Sequence, residues 1–149
     1  MRVFTSPDQL EQAVGADLGT SDWLLITQER IDRFADATDD HQWIHVDPVR
    51  AQAGPFGAPI AHGYLTAALL PALMRQIFRV EARMAVNYGL NKLRFPAPVR
   101  VGSSVRAAVR LVEVTKVAEA VQVVSTATVE IQGEPKPAVV AETVGRFYL

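Results

Sequence analysis

The chain has 149 residues, of which 49% are hydrophobic and 21% are charged, and its formal net charge at pH 7 is −1. This length suits a single domain with a real core, over residues 1–149. Because the charges nearly cancel and do not run in blocks, we expect neither nucleic acid nor a membrane surface as a partner. The absence of cysteine excludes disulfides, a thiol nucleophile and a Cys-ligated zinc site.

The first 26 residues predict one short helix and one short strand. Ser6-Pro7 is typical of a helix start, with Ser6 as the N-cap, and Gly15 should end that helix. Residues 16–23 are predicted to form a loop, and residues 24–26 a short strand. The stretch has no apolar core of the signal-peptide type, so we expect a cytoplasmic protein.

Two further helices are predicted before residue 54. Thr27 should cap a helix with the sequence QERIDRFADAT, which ends near Asp39 and Asp40. Asp47 is then predicted to cap a short helix that follows Pro48 and reaches residue 53.

His62 and Gly63 precede a long apolar helix, predicted over residues 64–78. It is apolar on nearly all sides, which indicates a helix enclosed by the rest of the protein. From Tyr64 to Met74 only Thr66 and Pro71 interrupt the apolar residues, and this run is about half of the ~20 residues that a membrane span needs, which favours a core helix. Pro71 should kink or divide this helix.

The rest of the chain alternates apolar and polar residues, which predicts long strands. The apolar phase shifts near Asn91 and Lys92, as it does at a β-bulge. The strands are predicted over residues 84–95, 105–111, 121–131 and 138–149, paired as an antiparallel meander. The fold class is therefore α+β, with a curved antiparallel sheet wrapped around one long helix.

Residues 37–66 contain every histidine and several acids beside this apolar helix. Singly, these acids and histidines are usually turn or packing residues. Asp40 and His45, however, are separated by what we predict to be a non-helical linker, so both side chains can converge on one water as a general acid–base pair. The Gly63 N–H at the helix start is free. Because Gly63 has no Cβ, a substrate carbonyl could approach closely and accept a hydrogen bond from this N–H.

Two other kinds of site are conceivable from the same residue types. His41 and His45, with Asp39 or Asp40, could form a metal site, but this needs a helix over residues 41–45, which the predicted helix end at Asp40 disfavours. A serine hydrolase lacks its Gly-x-Ser-x-Gly motif. No metal is therefore expected.

The sequence resembles the MaoC-like dehydratase family, which includes the (R)-specific enoyl-CoA hydratases. Three blocks carry the resemblance: DHQWIH at 40–45, PIAHGYL at 59–65 and NYGLNKLRFPAPV at 87–99. The resemblance implies a hot-dog fold, in which the sheet surrounds the long helix, and a homodimer whose sheets join edge to edge.

The resemblance also implies a reaction, the reversible syn hydration of a trans-2-enoyl-CoA to an (R)-3-hydroxyacyl-CoA. Asp40 and His45 would activate the water and handle the proton at C2, and the Gly63 N–H would polarise the thioester carbonyl. No metal or organic cofactor is implied, since CoA arrives with the substrate.

This sequence departs from the family's usual Gly-Asp-x-Asn-Pro-Leu-His pattern at Asp39, Gln42 and Trp43, and it has Ile44 in place of the leucine. Asp39 replaces the glycine, Gln42 the asparagine and Trp43 the proline. Gln42 keeps an amide, so it is predicted to be a supporting hydrogen-bonding residue for the substrate.

Two alternatives to a hydratase stay open. One is a hot-dog acyl-CoA thioesterase, although such enzymes generally place an acid on the long helix and none occurs between Tyr64 and Ile77. The other is a non-catalytic acyl-CoA-binding or assembly subunit, against which the retention of Asp40 and His45 argues.

Overall fold

The computed structural model describes all residues from 1 to 149. Its elements in chain order are β1 (Arg2–Phe4), α1 (Pro7–Gln12), β2 (Asp17–Thr20), β3 (Leu24–Leu25), α2 (Gln28–Thr38), α3 (Trp43–Val46), α4 (Pro48–Gln52), α5 (Gly63–Ala68), α6 (Leu70–Ile77), β4 (Phe78–Val80), β5 (Met84–Arg94), β6 (Ser104–Val117), β7 (Ala120–Ile131) and β8 (Val139–Tyr148).

The three predicted helix N-caps are confirmed. The side chains of Ser6, Thr27 and Asp47 each accept a hydrogen bond from the backbone N–H three residues later, at 3.4, 3.2 and 3.0 Å. Such bonds satisfy one of the N–H groups that a helix start leaves free. The start of α2 and the start of α4 thereby fix both ends of the segment that carries Asp40 and His45.

The main sheet confirms the α+β fold class. Its order is β2-β6-β7-β8-β5, and β3 pairs with β6 on the same side as β2. Strands β6, β7 and β8 form the predicted antiparallel meander. The prediction is wrong for β5, which pairs with β8 and not with its sequence neighbour β6. Alternation within a strand reports which residues share a face, and it does not report the partner strand.

The predicted bulge near Asn91 is confirmed, and a second one was missed. The pairing of β5 with β8 shifts between Leu90 and Lys92, and also between Asn87 and Gly89. The apolar alternation from Met84 to Leu90 runs through the first shift unbroken, and because nearly all of β5 is exposed, the pattern there does not report which residues share a face.

The long helix is divided, as Pro71 predicted. Segment α5 ends at Ala68, and α6 has Pro71 within its first turn, where the missing N–H is tolerated. Phe78 lies outside α6, because β4 begins there and pairs in parallel with β1. The predicted loop over residues 16–23 is also wrong, since it contains β2, paired with β6.

The helix α5–α6 is buried on one side only, so the expectation of a fully enclosed helix is wrong. Leu65, Leu73 and Ile77 belong to the core that the helix shares with β6 and β7. On the other side Tyr64 is 68% exposed, and Ala68 and Ala72 are also exposed. No helix of the structure combines the length and hydropathy that a membrane crossing would need.

Candidate active site

Asp40 lies just beyond the C-terminal end of helix α2. The helix stops at Thr38, and Asp39 adopts the left-handed conformation, with φ of 58°. This conformation reverses the chain direction after a helix, and aspartate tolerates it better than most residues with a side chain. The Asp40 side chain is exposed beyond this turn and accepts a long hydrogen bond, 3.4 Å, from the Gln42 N–H.

His45 lies on the single-turn helix α3, so the predicted non-helical linker from Asp40 is wrong in its second half. The Gln28 side chain on α2 donates to the His45 carbonyl at 2.8 Å and ties the two helices together. His45 itself is only 7% exposed. The short helix thus turns the imidazole inward, while Asp40 stays at the surface.

The hydrogen bond of His45 fixes its tautomer. Ring atom Nδ1 lies 2.7 Å from the Ile60 carbonyl oxygen, which can only accept, so Nδ1 carries the proton and donates. Nε2 is then the unprotonated nitrogen, free to take a proton. Burial lowers the pKa of His45 below its ordinary value of 6.5, and the nearby His62 lowers it further. The imidazole is therefore neutral near pH 7, the state that a general base needs.

The structure brings Asp40 and His45 together, as the sequence predicted. A carboxylate oxygen of Asp40 and a ring nitrogen of His45 lie within 4.8 Å of each other, with no direct hydrogen bond between them. Two hydrogen bonds of about 2.8 Å that meet at one water at a tetrahedral angle span roughly 4.6 Å. The pair is thus close enough for both side chains to contact a single water.

Gly63 is the first residue of α5, and its N–H donates to no acceptor of the protein. Gly63 and His45 line the same cavity of about 330 Å³, whose other walls are mainly apolar. A free N–H at a helix start carries positive partial charge, which suits a carbonyl oxygen that gains negative charge. The predicted base and the predicted carbonyl donor therefore face one space.

A second, larger cavity lies beside the first. It has a volume of about 620 Å³ and is lined by one side of α5–α6 and by strands β5 and β8. Tyr64 lines the larger cavity and Phe95 the smaller, and their rings meet edge to face with centroids 5.6 Å apart. This aromatic contact therefore joins a wall of the larger cavity to a wall of the smaller one.

Gln42 and Trp43, two of the departures from the family pattern, have different surroundings. The Gln42 side chain is exposed and makes no hydrogen bond within the protein, so its predicted role toward substrate stays a prediction. Trp43 packs on the chain that follows α4. A Cβ built on Gly54 would lie 2.9 Å from the Trp43 ring, so the ring leaves no room for a side chain there. The guanidinium carbon of Arg50 stacks over the same ring, 4.4 Å from its centroid. Trp43 therefore acts as a packing residue of this loop.

The alternative metal site at His41 and His45 is not assembled. His41 is exposed and pairs with Asp36 at 2.9 Å, and this hydrogen bond raises the pKa of His41. The helix that would place His41 beside His45 begins only at Trp43.

Another histidine, His62, joins the site instead, and the sequence had assigned it only a structural role. One atom each of Asp40, His45 and His62 lie within 4.8 Å of one another. The rings of His45 and His62 are stacked, 3.8 Å apart with planes at 22°, so one ion cannot lie in both ring planes at a bonding distance of about 2.1 Å. The set does not fit a metal. No spacing rule could have found His62, because its partner Asp40 is 22 positions away.

Comparisons with known proteins agree with this fold. A family model described as the MaoC-like domain matches residues 9–133. The 3-hydroxyacyl-thioester dehydratase Z of Mycobacterium tuberculosis H37Rv is 56% identical, covering 99% of each chain. Nodulation protein N of Rhizobium meliloti is 45% identical, covering 93% of this chain and 89% of that protein. The solved (R)-hydratase from A. caviae involved in PHA biosynthesis superposes with a TM-score of 0.73 at 27% identity, covering 89% of this chain and 94% of that one.

Proposed function

The chain belongs to the MaoC-like domain family, and on that premise we propose that it is a hydro-lyase that adds water reversibly to a trans-2-enoyl-CoA and yields an (R)-3-hydroxyacyl-CoA. The observation that supports the proposal is that Asp40 and His45 lie within 4.8 Å of each other, close enough to share one water, and that His45 and Gly63 line one cavity. Relatives named as a 3-hydroxyacyl-thioester dehydratase and as an (R)-hydratase support the same reaction in its two directions.

In the hydration direction His45 acts as the base. Its Nε2 takes a proton from the water held between it and Asp40, and the water oxygen bonds to C3 of the enoyl group. The electron pair of the C2–C3 double bond moves toward C2 and the thioester carbonyl. A proton from the same Asp40–His45 pair then reaches C2. Because one pair handles both the proton and the hydroxyl group of the water, the two add to the same face of the double bond.

The Gly63 N–H stabilises the charge that develops on the thioester oxygen. The apolar walls of the cavity strengthen this interaction, since a hydrogen bond is electrostatically stronger in a low dielectric. The Gln42 amide, exposed near Asp40, is proposed to hydrogen-bond to the bound substrate. No metal or organic cofactor is needed, because the chain supplies the base, the acid and the carbonyl donor.

The thioester is proposed to be that of CoA, which implies a cytoplasmic enzyme because CoA thioesters are made and used inside cells. The name of the mycobacterial relative specifies a thioester without its carrier. Direct comparison of enoyl-CoA with enoyl-acyl-carrier-protein substrates tests this choice.

A homodimer is proposed from strand β5. This strand is the edge of the main sheet, and its exposed apolar side chains are Met84, Val86, Tyr88 and Leu90. A long apolar edge strand offers unpaired backbone groups that another strand can bind. Pairing of β5 with β5 of a second copy would join the two sheets and cover the exposed side of α5–α6 as well.

The function is tested by supplying crotonyl-CoA and longer trans-2-enoyl-CoAs and following the loss of enone absorbance. Chiral analysis of the 3-hydroxy product should show the (R) form. Release of free CoA thiol without hydration would identify a thioesterase instead. Binding of acyl-CoA with neither reaction would identify a non-catalytic subunit.

A further inference from the structure

His62 is almost fully buried, with 2% of its surface exposed, at the junction between the Asp40 loop and helix α5. It occupies the N-cap position of α5, yet its side chain does not cap that helix. Its Nε2 instead lies 2.9 Å from the main-chain oxygen of Asp40, which can only accept, so Nε2–H donates. The His62 side chain therefore links the start of α5, just before Gly63, to the main chain at Asp40.

The same ring supports His45. The two imidazoles stack with centroids 3.8 Å apart and planes at 22°, and Phe34 of α2 contacts the His62 ring at 4.9 Å. His45 is also held by its bond to the Ile60 carbonyl. Together these contacts leave the His45 ring little freedom to rotate, and they fix where its Nε2 lies relative to Asp40.

A histidine at this position also carries a cost for folding. With Nε2 as the donor to Asp40, Nδ1 is buried without a hydrogen-bond partner in the protein. A buried polar atom without a partner lowers stability, typically by about 1–3 kcal/mol. An apolar residue would avoid this loss but could not donate to the Asp40 carbonyl, so the histidine is explained by the contact it makes with the main chain that carries Asp40.

We propose that His62 is a positioning residue, which holds the Asp40 main chain and the face of the His45 ring so that the water-activating pair keeps a fixed place relative to the Gly63 N–H. The inference rests on the proposed hydratase function and deepens it. The contacts that carry it are the Nε2–H bond to Asp40, the stack on His45 and the chain link to Gly63.

The surroundings of His45 make this role measurable through pH. The titratable groups that face its ring are His62, which lowers the pKa of His45, and Asp40, which raises it. The other side chains that share its cavity are apolar or carry a hydroxyl, and His41 is paired with Asp36. Removing His62 should therefore raise the pKa of His45.

Two variants separate the two contacts of His62. His62→Gln keeps an amide that can donate to the Asp40 carbonyl and removes the ring face, whereas His62→Phe keeps a ring face and removes the donor. Both should lower kcat for enoyl-CoA hydration by about 10-fold or more, as small displacements of catalytic groups do, with little change in KM. In both, the acid limb of kcat/KM should move to higher pH. His41→Gln, a change at an exposed histidine outside this cluster, is the control and should match the wild type.

Folded variants with wild-type kcat and an unchanged acid limb would overturn the proposal. Loss of folding in both variants would also overturn it, because His62 would then be a stability residue. A second readout does not need activity: NMR titration of the His45 imidazole should give a higher pKa in His62→Gln than in the wild type, and an equal pKa contradicts the proposal. If the wild type hydrates no enoyl thioester while the titration still shifts, the proposed function fails and the positioning of His45 by His62 stands.

Discussion

The ring of Phe95 lies directly against Gly63, in the space that a side chain on residue 63 would occupy. An ideal Cβ on Gly63 would be 2.8 Å from Cδ2 of Phe95 and 2.9 Å from Cγ. A side chain at residue 63 would therefore clash with Phe95, and it would also obstruct a substrate that approaches the Gly63 N–H. Phe95 forms part of the cavity wall beside that N–H.

Gly63→Ala should therefore lower both stability and hydration activity. The Phe95 ring must shift to make room, and overpacking of this kind costs about 1–3 kcal/mol, or a few degrees in melting temperature. Thermal unfolding and kcat/KM measure the two effects. In a Phe95→Ala background the same change should cost much less stability, and an equal cost in both backgrounds would show that the clash is not the cause.

The pH dependence of hydration should report His45. The active form has a neutral imidazole, and burial lowers the pKa of His45 below 6.5. Activity should thus be fully present above pH 6.5 and fall as the pH drops through the lowered pKa. The measurement is kcat/KM against pH. An acid limb centred above 6.5 would contradict this assignment of the base.

Asp39→Gly should stabilise the protein. Asp39 has φ of 58°, a conformation that disfavours residues with a Cβ and that glycine adopts freely. The gain should be up to about 1 kcal/mol in the free energy of unfolding, with kcat unchanged, while Asp39→Val should lose stability. Chemical denaturation measures both. Equal destabilisation by glycine and valine would mean that the side chain of Asp39 matters more than its backbone.

Leu90→Lys should weaken the proposed dimer. Leu90 is 47% exposed on the edge strand β5, and a lysine on an edge strand opposes pairing with another strand. Light scattering should show a dimer for the wild type and a shift toward monomer for the variant. Val49→Lys, at an 83% exposed position on α4, is the matched control. A monomeric wild type would contradict the proposed assembly.

Local patterns in the sequence predicted the features that depend on neighbouring residues. The helix caps at Ser6, Thr27 and Asp47, the division of the long helix at Pro71 and the bulge near Asn91 all follow from rules within a few residues. The approach of Asp40 to His45 is of the same kind, since they are five residues apart.

Features that depend on distant pairing were missed. The position of β5 beside β8 and the parallel pair β1–β4 join strands far apart in sequence, and the short strands carry too few residues for a period to show. His62 was missed for the same reason, because its value to the site lies in a bond to Asp40 and a stack on His45. The contact of Phe95 with Gly63 likewise joins residues 32 positions apart.

The most direct test of this mechanism compares substitutions at the two proposed catalytic residues with the same kinds of substitution at a neighbouring aspartate and a neighbouring histidine. Asp40→Asn and His45→Gln remove the proposed water-activating pair, whereas Asp39→Asn and His41→Gln change an adjacent acid and a nearby histidine that do not belong to it. Hydration of crotonyl-CoA should fall by at least about 10²-fold in the first two variants and stay near the wild-type rate in the other two, with all four folded. Full activity in Asp40→Asn or His45→Gln would contradict the account.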